Sequence, residues 1–151
     1  MNLTLTNLTK QYGSFTALQN FNYEFIAGVY GLLGPNGAGK STLMNIITDN
    51  LKATSGLVRF DGEDITKMDA DFRKILGFMP QQQGIYPNFT LERFLYYMAA
   101  LKGMKKADAK PQIEKLINLV KLQDSRNKRL GGFSGGMKQR ALIAQAMLGE
   151  P

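Results

Sequence analysis

Residues Gly34-Pro35-Asn36-Gly37-Ala38-Gly39-Lys40-Ser41 fit the pattern G-x-x-x-x-G-K-[ST]. The chemistry that pattern serves is phosphate binding. Glycines let successive backbone N–H groups turn inward onto phosphate oxygens, the lysine puts a cation on the outer phosphates, and the hydroxyl reaches Mg²⁺. Here Lys40 and Ser41 supply the two side chains, and Thr42 carries the loop onward. A glycine-rich turn with a solvated lysine would look similar in isolation. This one sits between an apolar run and a helix-patterned segment, as the mechanism requires.

A second cluster, Phe133-Ser134-Gly135-Gly136-Met137-Lys138-Gln139-Arg140, again places a hydroxyl and two glycines at a helix start. Alone, a helix cap accounts for it. The absences are as informative. With no cysteine and no histidine among 151 residues, disulfides, thiolate metal sites and imidazole acid/base chemistry are excluded.

These residues need elements to hold them. Leu3 and Leu5 alternate with Thr4 and Thr6, and Phe21, Tyr23 and Phe25 repeat that period, which predicts two half-buried strands. Val29 to Leu33 is apolar without alternation and reads as a strand buried on both faces, feeding the glycine-rich loop and then a helix with Leu43, Met44, Ile46 and Ile47. Leu57 to Phe60 reads as a strand closed by an Asp61-Gly62 hairpin turn, and Ile75 to Met79 as another strand ending at Pro80. Asp61 as a metal ligand at the end of an apolar strand is the weaker reading, because it would bury Arg59.

From Thr90 the pattern turns helical. Thr90 caps a helix whose core face is Phe94, Tyr97, Met98 and Leu101; a second helix repeats the spacing at Ile113, Leu116, Ile117 and Val120. Gly131-Gly132 breaks the chain before a last helix, capped by Ser134, with Ala141, Ala144, Met147 and Leu148 to pack.

The formal charge is +7, and it is concentrated: residues 101–130 hold nine basic against three acidic side chains. Spaced lysines of this kind favour a solvated helix face over a nucleic-acid surface. The longest apolar run, Phe94 to Leu101, is far short of the ~20 residues that span a bilayer, and the expectation is a soluble, cytosolic chain.

The loop at 34–42 and the cluster at 133–137 together resemble the ATP-binding-cassette family, whose signature motif is usually written LSGGQ. The resemblance runs along the whole chain. It implies an α/β fold, a P-loop NTPase core with an antiparallel β piece and a helical subdomain. The expected organisation is a core over residues 1–89, a helical subdomain over 90–132, and the signature motif with its helix over 133–151, one domain in all. It implies that Gly34, Pro35, Asn36, Gly37, Ala38, Gly39, Lys40, Ser41 and Thr42 hold ATP phosphates. Tyr12 would stack on adenine, and Ser134, Gly135 and Gly136 would cap the γ-phosphate of an ATP held by a second subunit. Ser41 and Gln81 would contact Mg²⁺, with Gln81 and Lys40 the catalytic side chains.

Phe133 and Met137 depart from the family's leucine and glutamine. The chain also ends at Gly149-Glu150-Pro151, ahead of the family's aspartate-ended strand, catalytic glutamate and switch histidine. The expectation is therefore an N-terminal part, incomplete at its C-terminus, that binds ATP and hydrolyses it slowly or not at all. Guanine recognition is unsupported, since Asn127-Lys128 is followed by Arg129-Leu130. As an intact protein, the resemblance implies an ATP hydrolase peripheral on the inner face of the cell membrane. Its partners would be a transmembrane permease subunit and a second ATP-binding subunit. The stretches YYMAALKG and FSGGMKQR look more like exporter ATPases than importer ones. The alternatives are a soluble member of the family acting on ribosomes or DNA, and a non-catalytic nucleotide-binding fragment. Tyr86, Phe89 and Tyr96 are candidate walls of a groove for the membrane partner.

Overall fold

The computed structural model describes residues 1–80 and 84–151. They form two compact units, Met1–Asp69 and Ala70–Pro151.

In the first unit, β1 (Asn2–Tyr12) and β2 (Phe15–Ile26) form a long antiparallel hairpin, and β3 (Ser55–Phe60) pairs with the other edge of β1. A short β4 (Glu63–Asp64) completes the order β2-β1-β3-β4. The register sets Leu5 opposite both Tyr23 and Val58, so the alternating apolar positions share one face. Leu5, Leu8 and Val58 are buried there, as are Leu43 and Ile46 of helix α1 (Lys40–Ile47) and Ile65 of α2 (Ile65–Met68). The Asp61-Gly62 turn has φ 47° and 89°, the left-handed pair a two-residue hairpin needs. Asp61 accepts from the Asn2 amide at 2.6 Å, while Arg59 is exposed; this is turn chemistry and not a strand-end metal ligand.

In the second unit, α3 (Ala70–Ile75) precedes three longer helices: α4 (Leu91–Leu101), α5 (Lys106–Leu119) and α6 (Gly135–Ala146). Thr90 caps α4, its hydroxyl accepting from the Arg93 amide at 3.2 Å. One apolar cluster unites α4, α5 and α6 through Leu91, Phe94, Leu95, Ile113, Ile117 and Leu142, all buried.

Three expectations need correction. Val29–Leu33 and Ile75–Met79 are not strands: Ile75 closes α3, and Val29 and Leu33 are 103% and 92% exposed. A strand exists only where a neighbour supplies ladder bonds, and among the described residues none pairs with either run. The core face of α4 is rotated by about one position from the reading. Leu91, Leu95 and Ala99 line the core with Phe94, whereas Tyr97 and Leu101 are exposed. Met147 is likewise exposed, and Leu148 takes the buried place beyond α6.

The Arg126 guanidinium ties α4 to α5. It meets Glu114 through both oxygens at 2.6 and 3.1 Å and Glu92 at 2.6 Å. The hydrogen bond from Arg126 holds the Glu114 carboxyl below its ordinary value of 4.5. A carboxylate with a lowered folded pKa contributes stability that is present above its unfolded pKa and lost as pH falls through the folded value. We therefore expect wild type to lose stability progressively below pH 4.5, and Arg126→Met to be weaker at neutral pH with a shallower acid slope. Urea midpoints measured across that range check this; parallel slopes would contradict it.

Candidate functional site

The loop from Gly34 to Ser41 passes through three glycines with positive φ: Gly34 at 153°, Gly37 at 86° and Gly39 at 80°. At Gly39 the reason is also spatial. A Cβ there would lie 2.4 Å from the Ala17 carbonyl oxygen of β2, so the loop packs directly on the β1–β2 hairpin. Gly39 is also the residue that precedes α1, and it provides no side chain to cap the helix. By contrast, α4 and α6 are capped by Thr90 and by Ser134, whose hydroxyl accepts from the Met137 amide at 3.3 Å. The first-turn amides of α1 have no intrahelical acceptor, no side-chain cap and no acidic residue beside them. The positive end of the helix dipole is thus left open at the loop.

The Lys40 ammonium adds its charge at that mouth. It donates to the Gly34 and Pro35 carbonyls at 2.6 and 2.7 Å, folding back along the loop it follows. The Ala38 amide closes a turn on the Pro35 carbonyl at 3.3 Å. Ser41 is exposed and Thr42 half-buried in the first turn of α1. A basic, donor-rich loop of this kind suits a polyanion. Among the described residues there is no cluster of three or more acidic, histidine or cysteine side chains to hold a cation. A divalent ion here needs oxygens from a bound phosphate to complete its shell, with Ser41 as a protein donor, and the exposed Ser41 fits that role.

Tyr12 belongs to the same unit. It ends β1 opposite Phe15, on the hairpin whose Ala17 backs onto Gly39, and is 47% exposed with the Lys10 ammonium 5.1 Å from its ring centre. Ser134, Gly135 and Gly136 belong to the second unit, at the start of α6; space around both glycines is open. Gln81 lies outside the described residues.

The family model described as "ABC transporter" matches residues 18–151. The chain belongs to the ABC transporter family. Across 147 residues it is 37% identical to the bacitracin transport ATP-binding protein BcrA of Bacillus licheniformis, covering 97% of this chain and 47% of that protein. It is 32% identical over 152 residues to the sulfate/thiosulfate import ATP-binding protein CysA of a Synechocystis strain, covering 100% and 42%. The chain spans about half the length of the curated relatives it matches. Among solved structures it resembles a dimeric ATP-binding cassette in a post-hydrolysis state bound to ADP and Pi. The TM-score is 0.85 at 28% identity, over 99% of this chain and 70% of that one.

Membership in the ABC transporter family gives the two departures from its signature a physical account. Phe133 is buried in the helical core beside Leu130, and Met137 packs on the same cluster. Met137 trades the family's amide for apolar contact, Phe133 keeps the apolar character of the family's leucine, and the space around Gly135 and Gly136 stays open. Two exposed aromatics stand apart from the sequence reading: Phe15, which it does not single out, and Tyr97, which it assigns to the core face of α4. Phe15, 59% exposed beside Tyr12, could have been found from the Gly13-Ser14 turn that pairs them. Tyr97 meets Tyr86 and Phe89 edge to face, at ring distances of 5.4 and 5.7 Å, whereas Tyr96 lies half-buried against the core. The exchange of Tyr96 for Tyr97 follows from the rotated face of α4.

Proposed function

We propose that this chain is the phosphate-binding and signature-bearing part of the ATP-binding subunit of an ABC transporter. The observation that carries it is the loop at 34–41, packed through Gly39 onto β2, with an uncapped helix end and the Lys40 ammonium at its mouth. Residues 34–42 wrap the phosphates of ATP with backbone N–H groups. Lys40 exchanges its two loop carbonyls for phosphate oxygens, and Ser41 and Gln81 would hold Mg²⁺, which when bound would supply charge neutralisation at the outer phosphates. Hydrolysis is an in-line attack by water on the γ-phosphate, promoted by position and charge.

Tyr12 stacks on the adenine. An aromatic platform of this kind contributes ~1–3 kcal/mol, so Tyr12→Ala should weaken Mg²⁺-ATP binding about tenfold in an equilibrium titration. Unchanged affinity would remove Tyr12 from the site.

Ser134 to Gly136 of one subunit close over the ATP of a second, so two subunits sandwich two nucleotides and part after hydrolysis. That cycle drives a transmembrane permease, with the subunit peripheral on the inner face of the membrane; among the described residues no helix is long and apolar enough to cross it. The wording of 96–103 and 133–140 supports export; of the two relatives, one is named an import protein and the other a transport protein. Tyr86, Phe89 and Tyr97 form the surface that receives the permease. Replacing Tyr86 and Phe89 by Ala in the intact subunit should leave ATP turnover and cut transport several-fold; transport that tracks turnover as before would sink this docking role. A nucleic-acid role for the basic stretch is not favoured, because Lys102 and Arg126 are spent on internal contacts.

A further inference from the structure

Lys102 stands just beyond α4, and its ammonium is engaged in an unusual way. It donates to the Leu76 carbonyl at 2.9 Å and to the Leu148 carbonyl at 2.7 Å, partners 26 and 46 residues away. Among the described residues no carboxylate meets it, and burial pulls its pKa below the ordinary lysine value. A partly buried ammonium gives up some of its hydration, and the two carbonyl hydrogen bonds replace it.

The surroundings bring the same two segments together. A Cβ on Gly77 would lie 2.5 Å from the Ala146 carbonyl oxygen and 2.8 Å from Pro151 Cγ, so the 76–77 backbone lies directly on the end of α6. Gly149 sits 3.7 Å, by the same measure, from both the Lys102 side chain and the Lys74 carbonyl. One segment leads, within five residues, to Gln81; the other ends the helix that begins at Ser134.

We propose that Lys102 is a positioning residue that couples the 74–80 segment to α6, so that displacement of one is transmitted to the other. The meaning of this link for ATP chemistry rests on the reading of Gln81 and Ser134 given above; the link itself does not. A charged group shared by two carbonyls makes the two segments energetically dependent, and that dependence is measurable as non-additivity.

The test is amide hydrogen exchange, read by mass spectrometry on this chain without nucleotide, so a failure here is separable from a failure of the ATP reading. Ile143→Gly, at an exposed position, frays the end of α6. In the wild-type background it should speed exchange at 74–80 about tenfold along with that of α6. In a Lys102→Met background it should speed exchange of α6 alone, and Lys102→Arg should restore the link. Protection at Ile113–Ile117 serves as the check that each variant is folded, and Lys105→Met is the exposed control. Fraying that still reaches 74–80 in folded Lys102→Met would show that the Gly77 contact carries the coupling and would overturn the proposal. So would fraying that never reaches 74–80 in wild type.

Discussion

Gly39→Val should abolish nucleotide binding and destabilise the first unit by about 2–4 kcal/mol, through strain in a special backbone conformation. Two costs add at this residue. Its φ of 80° is one that β-branched side chains avoid, and the new Cβ would sit 2.4 Å from the Ala17 carbonyl oxygen, a backbone atom of β2 and not the far end of a flexible side chain. Relief requires the loop to lift from β2, which moves the first-turn amides of α1 away from the phosphates. Gly37→Ala is the matched comparison: φ is 86° but nothing lies within 4 Å, so only the torsional cost of about 1–2 kcal/mol applies. Urea unfolding of both variants beside a Mg²⁺-ATP titration checks this. Equal losses for the two would show that the packing on β2 is immaterial.

Lys40→Ala should do the reverse, sparing the fold and removing the ligand. The two hydrogen bonds that the ammonium makes are to loop carbonyls at an exposed position, so their loss should alter stability only slightly. In the proposed complex the same ammonium would face phosphate, where each charge-assisted hydrogen bond contributes about 1.5–3 kcal/mol. Losing it should weaken ATP at least a hundredfold, since 1.4 kcal/mol is about tenfold in affinity.

What was legible in the sequence divides along a physical line. The phosphate loop, the β1–β2 hairpin, the Asp61-Gly62 turn and the caps at Thr90 and Ser134 depend on residues a few positions apart, and the side chains that specify them are present locally. The runs 29–33 and 75–79 carry strand-like composition, but a strand is a relation between segments, and no described partner supplies the ladder. On α4, an i, i+3, i+4, i+7 stripe through Phe94 and Tyr97 competes with one through Leu91, Leu95 and Ala99. The aliphatic stripe is buried because it fits against Ile113 and Ile117, and Tyr97 turns outward to Tyr86 and Phe89. In the sequence Lys102 is one of nine basic residues over 101–130; its two carbonyl partners are distant in sequence and carry no motif.

The same limit applied to the site. Every residue proposed for the loop can be named from the sequence because the pattern it fits occupies consecutive positions. The packing of Gly39 on Ala17 could not, and that contact is why the third glycine is fixed in place.

The measurement that bears most directly on the central claim is a calorimetric titration of the chain with Mg²⁺-ATP, beside Mg²⁺-GTP and the Lys40→Ala variant. Saturable ATP binding, weaker for GTP and lost in a Lys40→Ala chain that still unfolds cooperatively, is the predicted result. ATP binding that survives Lys40→Ala undiminished, or no binding by a wild-type chain shown to be folded, would contradict the assignment of residues 34–42 as the nucleotide site.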